Sequence, residues 1–208
     1  MRQATVIVAS TRGAAGTAED RTGPLIHDWL VTRGFASEGP QVVADGVPVA
    51  AALQATLTEE PALIITTGGT GISPSDQTPE CVSPLLDVQL PGIIEAVRRL
   101  GAETTPMSAL TRGVAGFAGD TFIVTLPGSP GGVRDGLTVL DPILEHLLSH
   151  PCSRATPPVM FTRTASLIVS EQRSIRPRGI PRSGHGRRRS QTRRRRSRAA
   201  SAPASPCR

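Results

Sequence analysis

Four short apolar runs rich in β-branched residues, "ATVIVAS" (4–10), "QVVAD" (41–45), "ALIITT" (62–67) and "TFIVTL" (121–126), are separated by stretches whose apolar residues recur at helical spacing. Runs this short and this apolar read as strands buried on both faces. In "GPLIHDWLVTRG" (23–34), Leu25, Ile26, Trp29 and Leu30 share one helical face ahead of a stopping glycine. "VPVAAALQATLTEE" and "PGIIEAVRRLG" read as further helices, and "GGVRDGLTVLDPILEHLLSH" as a closing one. Its inner face carries Val133, Leu137, Leu140, Leu144 and Leu147, and Pro142 bends or restarts it. Strands alternating with helices demand parallel pairing and right-handed crossovers. The expected fold is therefore α/β, one domain over residues 1–150, with no internal repeat.

Charge divides the chain at the same place. Residues 1–150 hold 8 basic and 16 acidic residues, a net −8, whereas the remainder holds 15 arginines against Glu171 alone. The 151–208 extension is rich in Arg, Ser and Pro and too poor in apolar residues to offset chain entropy, so disorder is expected there. An arginine tract attracts phosphate backbones, but this one lacks the interleaved aromatics of single-strand binders, so nucleic acid is not an expected partner. A shifted reading frame in a GC-rich gene yields the same composition, and the chain has no Lys, Asn or Tyr.

The missing lysine excludes a Walker P-loop. Cys81, Cys152 and Cys207 are odd in number and form no CxxC, so neither a disulfide framework nor a zinc site is indicated. His146 and His150 stand one helical turn apart without an acidic or cysteine partner beside them. No apolar run is long enough for a membrane span or a signal segment, and a cytoplasmic location is expected.

In open parallel sheets, ligands sit beyond the carboxyl ends of the strands. Four loops should converge there: "TRGAAGTAED", "ADGVP", "GGTGISPSDQTPE" and "PGSPGG". In the third, Gly68, Gly69 and Gly71 let backbone N–H groups approach an anion, and Thr67, Thr70, Ser73, Ser75 and Thr78 add hydroxyls. Thr78 is expected to cap a helix that runs to about Leu86, with Pro79 at its first position, so the helix's positive end faces the loop. A plain strand-to-helix turn uses glycine too, but Asp76 beside such a cradle repels an anion unless a cation intervenes. Asp45, at the end of the neighbouring strand, supplies a second carboxylate, so the pair can hold Mg²⁺ against nucleotide phosphates; alone, Asp45-Gly46 is also an ordinary turn. Gly128 and Ser129 in "LPGSPGG" form either a turn or a second anion cradle. Arg12, Asp20, Arg98 and Arg112 are further polar candidates, each by itself an ordinary surface charge.

"TTGGTGISPSDQTPE", "LPGIIEAVRR", "ALTRGVAG" and "LPGSPGGVRDGL", in this order over about residues 4–148, resemble the MogA/MoaB molybdopterin-binding family, and above all the Mog proteins of actinobacteria. The resemblance implies a three-layer α/β/α domain with a mostly parallel sheet, usually a homotrimer. In MogA-type members it implies adenylylation of molybdopterin by MgATP with release of pyrophosphate. Carried over by position, the family's essential aspartates fall on Asp45 and Asp76, as catalytic and metal-holding residues. Thr67, Gly68 to Gly71 and Thr78 match the pterin and phosphate cradle, and Arg112 and Ser129 match further binding positions. Implied partners are molybdopterin, ATP, further copies of the chain and a downstream molybdenum-insertion protein. A non-catalytic binding or scaffold protein of the MoaB type is the alternative, against which both aspartates argue. Thr111 stands where the family commonly has Ser, and members usually end near His150. Met160 to Gln172 is similar to the opening of a molybdopterin synthase large subunit, as a fused and then frame-shifted neighbouring gene would leave it.

Overall fold

The computed structural model describes residues 1–149. The basic extension and His150 lie outside the described residues. In chain order the elements are β1 (Ala4–Ala9), α1 (Thr11–Ala14), α2 (Gly23–Thr32), β2 (Pro40–Val43), α3 (Val47–Leu57), β3 (Leu63–Thr67), α4 (Thr78–Val82), β4 (Val88–Gln89), α5 (Pro91–Ala102), β5 (Ala115–Ala118), β6 (Thr121–Leu126), α6 (Pro130–Leu140) and α7 (Leu144–Ser149). Single 3₁₀ turns cover Ser83–Leu85 and Pro106–Leu110.

The six strands form one sheet in the order β2-β1-β3-β6-β5-β4. The first four pair in parallel and the β6-β5-β4 edge is antiparallel. Side chains of a strand alternate between the two faces of a sheet, and the core divides accordingly. Val6, Val8, Leu63, Ile65, Phe122, Val124 and Leu126 face α2, α5 and α6, where Ile26, Leu30, Ile94, Val97, Val133 and Leu137 lie buried. Ile7, Ala9, Ile64 and Ile123 face α3 and α4, meeting Val49, Leu53 and Val82. Helices thus cover both faces of a mostly parallel sheet, in three layers as expected. Each such buried Val, Leu, Ile or Phe side chain contributes about 1.5–3 kcal/mol.

Register decides where the loops emerge. Ala9 stands opposite Val43, Val8 opposite Thr67, and Thr67 opposite Leu126, so four strands end side by side. The connections that follow them start from one edge of the sheet.

Two expected boundaries shift. The helix expected to run from Thr78 to about Leu86 stops at Val82 and gives way to a 3₁₀ turn, because Pro84 has no N–H with which to continue the α ladder. Its N-cap is Gln77 rather than Thr78, which is the first helical residue and is buried. The closing helix breaks into α6 and α7 around Pro142, so the proline restarts it. The β5–β6 hairpin was not expected from the sequence, although Gly119-Asp120 between "AGFA" and "TFIV" is a two-residue hairpin signal, and Gly119 takes φ +57°. No helix among the described residues is long and apolar enough to cross a membrane.

Candidate functional site

The glycine loop leaves β3 through two residues with positive φ, Gly68 at +88° and Gly69 at +59°. A Cβ on Gly68 would point into the Ala9 carbonyl of β1, far inside the 3.0 Å that real Cβ atoms keep. The loop therefore lies flat on the end of the central strand, and the Gly68 N–H donates to Leu126 O at 3.3 Å. Gly128 is also tightly placed: a Cβ there would stand 2.9 Å from the Gly68 Cα. Beneath the loop, buried hydroxyls anchor the strand ends, with Thr66 Oγ1 donating to Thr125 Oγ1 at 2.9 Å and Thr67 Oγ1 to Pro127 O at 2.8 Å. Thr67 is thus held by protein, pointing into the scaffold. Thr70 is buried too and accepts from Thr111 Oγ1 at 3.1 Å, a bond that any hydroxyl at position 111 preserves.

Asp45 meets this loop from the end of β2. Its Oδ1 accepts from Gly46 N at 2.8 Å, Gln77 N at 3.2 Å and Thr78 Oγ1 at 3.4 Å. Its Oδ2 stands against Gly69, where any Cβ would displace it. Asp76 turns back on its own loop: Oδ2 accepts from Ser73 N at 3.0 Å and lies 2.7 Å from the position a Cβ on Gly71 would take. Both carboxylates therefore flank the glycine run, each with one oxygen outside these hydrogen bonds. Among the described residues, no group of three or more His, Cys, Asp and Glu is placed to hold a metal. A cation here would take most of its oxygens from ligand and water, the coordination Mg²⁺ prefers. The two aspartates fit that role.

Arg112 is placed by its own backbone, whose N–H donates to Thr70 O at 2.9 Å. Its guanidinium spans the loop: Nε donates to Gly71 O at 2.7 Å, one terminal nitrogen to Asp76 O, and the other pairs with Glu80. It closes the loop from Gly71 to Glu80 with three contacts that a lysine's single ammonium cannot reproduce. The hydrogen bond from Arg112 holds the Glu80 carboxyl below its ordinary range. That tie is present above Glu80's ordinary pKa and is lost as pH falls through the lowered one. Arg112→Lys is expected to speed amide hydrogen exchange over residues 71–77 about 10-fold or more, with little change in β1 and β3.

Ser129 caps α6, its Oγ accepting from Gly132 N at 3.1 Å, and it is exposed at the mouth of the same site. Removing this cap is expected to cost about 1 kcal/mol. Thermal melting of Ser129→Ala would show this as a drop of about 3 °C. Ser73 and Ser75 are exposed and bonded to each other at 2.9 Å, on the outer side of the loop. Cys81, beneath Asp45, donates its thiol to Gly46 O at 3.3 Å, and burial, with the Asp45 charge second, pushes the thiol pKa up.

A cavity of about 490 Å³ opens beside the loop, and Gly69 to Ile72, Asp76, Gly128 and Ser129 are among the residues that line it. Thr104, Thr105, Met107, Ser108 and Asp135 also line it. The structure thus brings Gly69, Thr70, Gly71, Asp76, Gly128 and Ser129 together at one cavity, with Asp45, Gly68 and Thr78 directly behind it. Arg12 is exposed on α1, and Asp20 opens α2 by accepting from Thr22 N and Gly23 N, so both stand apart from it. Arg98 donates to Thr111 O at 2.8 Å and supports the wall. The wall from Thr104 to Ser108 and Asp135 were absent from the sequence expectations. Asp135 is the sixth residue of α6, and only the packing of α5 against α6 reveals that it faces a cavity.

A family model described as "Probable molybdopterin binding domain" matches residues 5–146. A solved structure described as the anomalous substructure of MogA is 53% identical, covers 71% of this chain and 98% of its own, and superposes with a TM-score of 0.70. The Mog protein of Mycobacterium ulcerans is 52% identical, with coverage of 72% and 98% and a TM-score of 0.69. The "Molybdenum cofactor biosynthesis bifunctional protein" of Synechococcus elongatus is 43% identical over 147 residues, 70% of this chain and 46% of its own. The chain thus spans less than half the length of that relative. The "Molybdopterin adenylyltransferase" of Pyrococcus furiosus is 36% identical over 150 residues, 70% of this chain and 88% of its own.

Proposed function

Because the chain belongs to the molybdopterin-binding domain family, we propose that it is a molybdopterin adenylyltransferase of molybdenum cofactor biosynthesis. A terminal phosphate oxygen of molybdopterin attacks the α-phosphorus of ATP; the new P–O bond forms as the bond to pyrophosphate breaks, giving adenylyl-molybdopterin and pyrophosphate. The observation that carries the reading is the pairing of two carboxylates, Asp45 and Asp76, with a glycine loop that no side chain can enter at Gly68, Gly69 or Gly71. A pure anion site has no use for two acids at its cradle.

In this reading the loop's N–H groups and the start of α6 bind phosphate oxygens, since backbone N–H groups at a helix start favour negative charge. Asp45 and Asp76 would hold Mg²⁺, which when bound would neutralise charge developing on the phosphates. Thr67, Thr70 and Thr78 act from below by fixing the loop, and Arg112 acts by closing it. No covalent enzyme intermediate is needed, because transfer between two bound phosphates rests on positioning and charge. A homotrimer, and the product's passage to a molybdenum-insertion protein, form the expected setting.

The test is adenylyl-molybdopterin and pyrophosphate formation by the 208-residue chain from molybdopterin and MgATP, with and without a chelator. Stoichiometric products that disappear with the chelator support the proposal. Molybdopterin binding without turnover would make the chain a binding module instead.

A further inference from the structure

The cavity beside the glycine loop has no basic side chain in its lining and two acidic ones, Asp76 and Asp135. Asp76 belongs to the cradle already described. Asp135 does not. It is half-buried on α6, its Oδ2 is 3.2 Å from where a Cβ on Gly101 of α5 would stand, and Ser108 closes the same spot. Its carboxylate faces the cavity from between these elements, and no described residue gives it a hydrogen bond or an ion pair. A carboxylate in a cavity with no cation beside it accepts from ligand N–H groups.

Helix geometry supplies a ruler. Six residues separate the cap Ser129 from Asp135, a rise of about 9 Å at 1.5 Å per residue. The glycine loop abuts the α6 start through Gly128, so the cavity offers anion-binding N–H groups near one end and a pure acceptor about 9 Å along. The exposed apolar side chains of Ile72, Met107 and Leu110 line the same cavity. The matching ligand has an anionic arm, a flat body with apolar faces, and an edge bearing two adjacent N–H donors.

Resting on the adenylyltransferase reading, we propose that Asp135 is the residue that recognises the pterin ring. Its carboxylate accepts two parallel hydrogen bonds from the 2-amino group and N3–H of the ring, a bidentate match of the kind carboxylates make with paired N–H donors. Adenine presents a donor beside an acceptor on its corresponding edge, so its ring nitrogen would oppose the carboxylate. The cavity beside α6 therefore takes the pterin, and the adenosine of ATP lies outside it.

The test uses the full chain and two stable probes, pterin-6-carboxylate and its 2-oxo counterpart lumazine-6-carboxylate, with binding followed by ring fluorescence and ATP binding measured in parallel. The wild type should prefer the 2-amino ring, and Asp135→Asn, which turns an amide donor toward one ring donor, should weaken pterin binding about 10- to 100-fold and abolish the preference. ATP affinity and Tm should stay unchanged in the variant. Equal affinity of the wild type for both rings, or loss of ATP binding instead of pterin binding in Asp135→Asn, would overturn the assignment. Since neither probe requires turnover, a chain that discriminates the rings through Asp135 yet forms no adenylyl product sinks the transferase reading alone. A chain that adenylylates but does not discriminate sinks only the role of Asp135.

Discussion

Gly68→Ala is expected to destabilise the domain by about 3–4 kcal/mol, read as a fall in Tm of roughly 10 °C. Two penalties coincide there. The backbone sits at φ +88°, where an L side chain is strained, and the new Cβ would collide with the Ala9 carbonyl of β1, a main-chain atom of a central strand that cannot swing aside. Gly34 separates the two terms. It has φ +79° but nothing within 4 Å of a Cβ, so Gly34→Ala carries the strain alone, about 1 kcal/mol. Urea unfolding of both variants checks the difference. Equal losses would mean that the loop does not lie on β1 as described.

Asp45→Asn should behave in the opposite way, sparing the fold and removing the chemistry. The amide oxygen can still accept from Gly46, Gln77 and Thr78, so Tm should shift little, while an NH₂ group replaces the oxygen that faces Gly69. Adenylylation is expected to fall about 10²- to 10³-fold, the usual loss when a charge-stabilising group is removed from a transferring centre. Asp76→Asn should do the same. The double variant should be little worse than either single one, because groups that hold one cation act as a unit. Single-turnover rates over a MgATP series provide the measurement, and full activity in Asp45→Asn would remove the aspartates from the mechanism.

Most of the parallel core was legible because its signal is local. "ATVIVAS" and "ALIITT" are short, β-branched and bounded by loop residues, and they form β1 and β3 nearly as read. The antiparallel edge was not, since Val88–Gln89 is two residues long and "AGFA" contains a glycine, so neither carries a periodicity. The loops at the strand ends were legible because glycines and two aspartates fall together behind consecutive strands, although each alone also suits an ordinary turn. What they do was only half visible. Arg112 by itself reads as a surface charge, and only the resemblance marks it as a binding position; in the fold its guanidinium is spread over Gly71, Asp76 and Glu80. Thr67 and Thr70 read as ligand donors; in the fold both are buried, Thr67 donating to Pro127 O and Thr70 accepting from Thr111 while it lines the cavity. Asp135 stands inside the quoted "LPGSPGGVRDGL" stretch, but its place at the cavity needed tertiary packing to become visible, because Thr104, Thr105, Met107 and Ser108 reach that cavity from a distant part of the chain.

The glycine loop is tied to Leu126 by its first N–H, to Asp45 through Gln77 and Thr78, and to Arg112 along most of its length. A loop so fastened has surrendered its conformational entropy during folding, before any ligand arrives. Binding then has little disorder left to remove, and affinity reflects contact and desolvation more directly. Association should accordingly proceed in one kinetic phase that scales linearly with ligand concentration, with no slower isomerisation behind it.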